Sequence, residues 1–258
     1  MRRTIETDLS LNPQIARHKA FKGYNCGCCS KMIGNIAIVS ILVADVTTRW
    51  CKNDIDEYMK ALDKSELFLL NNGGYDAGLS VSLKMFYKCD LKCKVDREEY
   101  GRTVDDVLHE LGYNTICELR DDVIKNNHKV NSVVVLFGFN NEERSFAMSI
   151  KGRKNANSTR RAYTDSGEYA FIYFKSHRDI SYTLCHEILH LYGAIDYYYP
   201  DTIKKQAERF FPHSIMLCYY EKPYIDDLTR YLIGWNANLD STSLLFLNNT
   251  LCTRRRAT

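Results

Sequence analysis

The residues Leu184 to Asp196 read LCHEILHLYGAID. Within them, His186 and His190 stand four apart, one turn of a helix, so both imidazoles can face one ion. That geometry is why His-x-x-x-His recurs in zinc sites. Glu187 projects beside the same face and can reach a zinc-bound water. Zinc lowers the pKa of such a water to about 7, and an adjacent carboxylate can act as general base and then as proton shuttle. A catalytic zinc normally has three protein ligands and one open position. Gly193 lies three residues after His190, where a helix can end in a left-handed conformation. The chain can then turn back, and Asp196 is the first strong ligand after the turn. A carboxylate partly neutralises the ion and so leaves it a weaker Lewis acid than a third imidazole would. HExxH alone arises by chance in roughly one chain of this length in a hundred. Requiring the glycine and aspartate as well cuts coincidence by a further factor of roughly two hundred.

The string HExxHxxGxxD resembles the metzincin clan of zinc peptidases, in its snapalysin-like aspartate form. Ser214-Ile215-Met216, twenty residues further on, is similar to the S-x-M element of that clan's methionine turn. The resemblance implies a zinc-dependent endopeptidase acting on proteins or peptides. One catalytic Zn²⁺ would be held by His186, His190 and Asp196, with Glu187 as the general base. It also implies an open twisted sheet whose edge strand borders the cleft and accepts an extended substrate by backbone pairing; residues 145–150 are the candidate. The expected fold is therefore α+β: a metzincin-like twisted mixed sheet with an active-site helix, and a smaller, loop-rich helical C-terminal subdomain. In residues the resemblance covers only 184–196 and 214–216. Two departures stand out. Several relatives carry a tyrosine two residues after the turn methionine; here that position is Cys218, followed by Tyr219 and Tyr220. The helices expected at 103–126 are an insertion relative to the smallest members.

Other readings stay open. In a gluzincin-type peptidase the third ligand is a glutamate on a later helix, and Glu208 stands at a suitable distance along the chain. That reading leaves Gly193 and Met216 unexplained. A non-catalytic zinc-binding protein on the same scaffold is a second alternative, although both histidines and Glu187 are retained. A protease made in the cytosol and delivered elsewhere as an effector or toxin is a third.

Residues 35–46 read as a buried strand, with Ile36, Ile38, Val39, Ile41, Leu42 and Val43 nearly continuous. A helix follows, capped near Asn53 or Asp54, with Ile55, Met59, Leu62 and Leu69 on one face, and Asn71-Asn72-Gly73-Gly74 stops it. Residues 79–88 alternate as a half-exposed strand. Thr103 can cap a helix carrying Val104, Val107, Leu108 and Leu111, ended by Gly112. A helix over 115–126 and strands at 132–139 and 168–174 come next. The active-site helix spans 179–192, followed by helices near 201–211 and 224–233. The expected organisation is an N-terminal segment, 1–30, and one metallopeptidase domain, 31–258, divided at 193/194.

The formal charge of +3 comes without a concentrated basic face, which argues against a nucleic-acid partner. Arg2-Arg3 and Arg254-Arg255-Arg256 read as solvated termini. The longest apolar stretch, Ile33 to Val46, is too short and too often interrupted to span a bilayer. The first residues show no signal-peptide pattern, so the expectation is a cytoplasmic protein without membrane attachment. The ten cysteines are expected to be reduced. Cys26, Cys28 and Cys29 with Cys89 and Cys93 lack the spacing of a zinc ribbon, and idle thiols are favoured over a second metal site. Tyr197, Tyr198, Tyr199, Tyr219 and Tyr220 can line an aromatic pocket beside the zinc, which would favour a large apolar residue just after the cleaved bond. They can equally pack a loop-rich subdomain.

Overall fold

The computed structural model describes residues 29–95, 99–148, 168–175, 179–217 and 221–254. Five strands form one sheet in the order β2-β1-β3-β5-β4. They are β1 (Gly34–Ala44), β2 (Leu79–Asp90), β3 (Ser132–Phe139), β4 (Phe146–Met148) and β5 (Tyr169–Tyr173). All neighbours are parallel except β4, which runs antiparallel to β5 at one edge. Parallel strands need crossover connections, and helices supply them: α1 (Lys52–Leu69) joins β1 to β2, and α2 (Tyr100–Glu110) with α3 (Ile116–Asn126) joins β2 to β3. The architecture is α+β with a mostly parallel sheet.

The near-continuous apolar run of β1 follows from this position. A parallel strand covered on both faces must be apolar on both. Ile36, Ile38 and Leu42 enter the core on one side of the sheet. Ala37, Val39, Ile41 and Val43 enter the core on the other, with Val104, Val107 and Leu108 of α2 and Ile116, Leu119 and Val123 of α3. The first side is closed by α1 and by α4 (Ile180–Leu191). Strand β2 is the opposite edge of the sheet, but the single alternating face expected over 79–88 is not kept: the pairing with β1 skips Ser82, so Leu79 and Val81 meet the first core while Leu83, Met85 and Tyr87 meet the second. The remaining helices are α5 (Asp201–Phe210), α6 (Asp227–Leu232) and α7 (Ser241–Arg254).

Several local expectations need correction. The cap of α1 is Cys51, not Asn53 or Asp54: the Cys51 side chain accepts from the Asp54 N–H while Asp54 reaches back to the Cys51 N–H. The buried face of α1 is Tyr58, Ala61, Leu62, Ser65 and Leu69, and Met59 is exposed. A serine fits inside because its hydroxyl lies 2.7 Å from the Ala61 carbonyl and 2.8 Å from the Ser181 carbonyl. Helix α2 begins at Tyr100, so Thr103 is a buried residue of its first turn and not the cap. The tail is not merely loop-rich: α7 packs Phe246 against Tyr197 and Phe211, with ring centroids 5.5 and 5.2 Å apart. Asn71 to Gly74 do end α1, through a wide π-helical turn, Leu70–Gly74, in which Gly73 has φ +120°. The described part of the expected edge strand is β4. Among the described residues, no helix is long and apolar enough to cross a membrane.

At the end of β1 the chain turns on Asp45, which is buried. One carboxylate oxygen accepts from the N–H and hydroxyl groups of Thr47 and Thr48 at 2.8–3.0 Å; the other accepts from the Val95 N–H at 3.0 Å. Burial alone would raise its pKa, but these bonds outweigh burial and hold it at about 2. The folded value lies below the unfolded one, so the stabilisation is complete above about pH 4 and is lost as pH falls toward 2. We expect the stability gap between wild type and Asp45→Asn, measured by urea unfolding, to narrow by about 2 kcal/mol between pH 6 and pH 2. A gap independent of pH would contradict this role.

Candidate metal centre

Helix α4 begins at Asp179, whose carboxylate accepts from the Ser181 N–H at 2.9 Å and the Ser181 hydroxyl at 2.6 Å. Leu184, Ile188, Leu189 and Leu191 are fully buried against the sheet and α1. That burial fixes the rotation of the helix and so the direction of its polar residues. His186 and Glu187 are themselves buried, and His190 is half-buried. The helix ends at Gly193, φ +102°, a conformation glycine adopts without the Cβ clash of other residues. The Gly193 N–H bonds to the His190 carbonyl and the Ala194 N–H to the Leu189 carbonyl, at 3.0 and 3.1 Å. The chain thereby reverses and carries Asp196 back over the histidines.

Three atoms converge. His186 Nε2 and His190 Nε2 are 3.0 Å apart, and Asp196 Oδ1 lies 3.2 Å from the first and 3.0 Å from the second. Three donors bound at 2.0–2.1 Å to one tetrahedral ion would stand about 3.3 Å apart, so the spacing fits. His186 Nδ1 is 3.1 Å from the Ile215 carbonyl, and His190 Nδ1 is 2.9 Å from the Ala194 carbonyl. A carbonyl only accepts, so each Nδ1 carries the hydrogen and each Nε2 presents a lone pair. Two lone pairs and a carboxylate oxygen thus point at one another, an arrangement that needs a cation among them, either a proton or a metal. The charges respond accordingly. Burial would raise the Asp196 carboxyl, but the two imidazoles hold it well below the usual carboxylate range. Burial would lower His190, but Asp196 and Glu187 outweigh it and raise it.

Glu187 stands next to this group. Burial pushes its carboxyl up, partly offset by His186 and His190, and also by Arg144. Its Oε2 is buried without a hydrogen-bond partner. A buried carboxylate oxygen left so is costly unless a water or a substrate group completes it.

The turn Ile215–Leu217 supports His186 from below through the Ile215 carbonyl. Met216 is fully buried there. Its N–H donates to the Ser214 hydroxyl oxygen at 3.1 Å, and its carbonyl accepts from the Tyr197 N–H at 3.0 Å. Asp226, buried at the start of α6, ties this turn to the segment after Gly193. It accepts from the Ser214 hydroxyl at 2.6 Å, the Tyr197 hydroxyl at 3.1 Å, and the Thr229 N–H and hydroxyl at 3.0 and 2.8 Å.

The structure brings His186, Glu187, His190 and Asp196 together. Glu208 is not in the group; it lies on the exposed side of α5, 3.9 Å from Lys204. No cysteine joins it among the described residues. Cys29 and Cys89 are buried thiols and Cys93 an exposed one, while Cys26, Cys28 and Cys218 fall outside the described residues. The tyrosine run divides. Tyr197 is core, stacked on Phe211; Tyr199 is 77 % exposed; Tyr198 stacks on His186, centroids 6.2 Å apart. Tyr219 and Tyr220 are outside the described residues. Sequence reasoning did not single out Asp226 or Arg144. Asp226 had a signal, since an aspartate before a helix is a favoured cap. Arg144 had none, sitting in a long polar stretch.

No family model matches the sequence, and no curated protein does. Among solved structures, the chain aligns with the crystal structure of metalloproteinase-II from Bacteroides fragilis at a TM-score of 0.37 and 15 % identity. The alignment covers 83 % of this chain and 59 % of that one. A likeness of that degree carries no argument about activity, and the geometry of the site has to carry it.

Proposed function

We propose that the chain is a zinc-dependent endopeptidase of metzincin type. His186, His190 and Asp196 hold one Zn²⁺, and Met216 forms the methionine turn beneath it. The supporting observation is the convergence of two Nε2 lone pairs and one carboxylate oxygen within 3.0–3.2 Å, with both Nδ1 hydrogens committed to backbone carbonyls. When bound there, zinc supplies Lewis acidity that polarises a carbonyl and activates a water near neutral pH. Glu187 contributes the base: its unpartnered Oε2 takes the proton of the attacking water and returns it to the departing amine. Among the described residues, strand β4 has a strand partner on one side only, β5, and we infer that an extended peptide pairs along its outer edge.

Metal content tests the ligand set. Wild type is expected to retain one zinc per chain after dialysis and to cleave a denatured protein. Asp196→Ala should fall well below one equivalent, while Glu208→Ala keeps its zinc. Loss of zinc from Glu208→Ala alone would overturn the assignment. A wild type that holds zinc yet cleaves no denatured protein would overturn the peptidase reading.

A further inference from the structure

Beside the metal centre stands a cation that feels the charge of Glu187 but forms no close ion pair with any described carboxylate. Arg144 is in the loop leading into β4. The next residue anchors that loop: Ser145 is buried, and its hydroxyl oxygen accepts from the Tyr173 N–H at 3.0 Å. The Arg144 guanidinium carbon lies 5.0 Å from the centroid of the Tyr198 ring, and the guanidinium donates to the Tyr198 hydroxyl. Tyr198 in turn stacks on His186, centroids 6.2 Å apart and planes at 27°. The order is guanidinium, phenol, imidazole. Arg144 is exposed, and among the described residues no carboxylate lies within ion-pair distance of it.

A guanidinium carries five N–H donors in a rigid fork that suits a carboxylate bidentately. The contact with Tyr198 engages part of that fork and leaves donors facing solvent. The aromatic face holds the group in place at small entropic cost. With zinc bound, the ion's two charges balance Asp196 and Glu187, so Arg144 supplies the surplus positive charge that a peptide carboxylate would meet here. Resting on the peptidase reading above, we propose that Arg144 and Tyr198 form a receiving site for a substrate carboxylate, so that peptides with an acidic side chain or a free chain terminus near the cleaved bond are selected. A role in stabilising charge on the carbonyl under attack fits less well, because the described contacts of the guanidinium are with Tyr198 and not with the converging donors.

The test is binding without turnover. Zinc-loaded Glu187→Gln protein is titrated with one labelled peptide carrying a Glu/Gln scan along its length, and with its free-acid and amide C-terminal forms. At least one acidic peptide should bind about 10- to 100-fold tighter than its neutral match. The Glu/Gln pairs and the acid/amide pair distinguish a side chain from a terminus. Adding Arg144→Gln should bring that ratio near one with zinc still bound, and Arg144→Lys should keep part of it. If Arg144→Gln does not fold, Tyr198→Phe, which removes the hydroxyl and keeps the ring, should lower the ratio several-fold. A ratio near one with Arg144 intact, or a ratio unchanged by these substitutions, overturns the proposal. Selective binding by a wild type that cleaves none of the peptides would instead count against the peptidase reading and leave the anion site standing.

Discussion

Glu187→Gln is expected to lower kcat/KM for peptide hydrolysis by roughly 100- to 10,000-fold, the usual contribution of a positioned general base, while one zinc stays bound. Glutamine keeps the size and shape of the side chain, and Glu187 is outside the trio of converging donors. What disappears is the basic oxygen. Because Glu187 is buried and its Oε2 has no partner, the folded state should not suffer. Glutamine removes the burial cost of an ionised carboxyl, a cost that His186, His190 and Arg144 offset only in part. The pattern to look for is lost turnover, retained zinc and an unchanged or raised melting temperature. Hydrolysis within tenfold of wild type would end the general-base assignment, since no other described carboxylate adjoins the trio.

The second large effect concerns stability. Asp226→Ala should destabilise the fold by about 3–5 kcal/mol in urea unfolding, because four donors from Ser214, Tyr197 and Thr229 lose one acceptor in a buried place. Burial raises the Asp226 carboxyl while those donors work against it. Asp226→Asn keeps one acceptor oxygen, and its amide can donate to the hydroxyls, so a smaller loss of about 1–2 kcal/mol is expected. The effect should reach the metal centre. Ser214 holds the Met216 N–H, and Tyr197 follows Asp196 directly, so zinc affinity should fall together with stability. A loss below 1 kcal/mol for the alanine variant would show that water replaces the carboxylate.

The parts legible in the sequence are those where local pattern and tertiary demand agree. Strand β3 is apolar from Val133 onward and buried on both faces, and its limits coincide with those expected. The histidine spacing, Gly193 and Asp196 stand in a fixed local relation, so thirteen consecutive residues are enough to suggest the trio. Residues not legible were those whose role depends on distant partners. Ser65 turns inward only because the Ser181 carbonyl waits there. Tyr197 could be read as pocket or as packing, and is core because α7, an unanticipated helix, brings Phe246 to it. Arg144 gains meaning only from Tyr198, 54 positions away in sequence.

Both imidazoles are oriented by main-chain oxygens, those of Ile215 and Ala194, where a side-chain carboxylate could have served. A main-chain acceptor cannot be deleted by a point substitution. Drift in sequence can therefore change the residues at 194 and 215 without altering which ring nitrogen bears the hydrogen. The vulnerability moves from chemistry to position: what disturbs the tautomers is displacement of two short backbone segments. Heat, denaturant or a poorly packed turn should release zinc before the helix that carries the histidines melts.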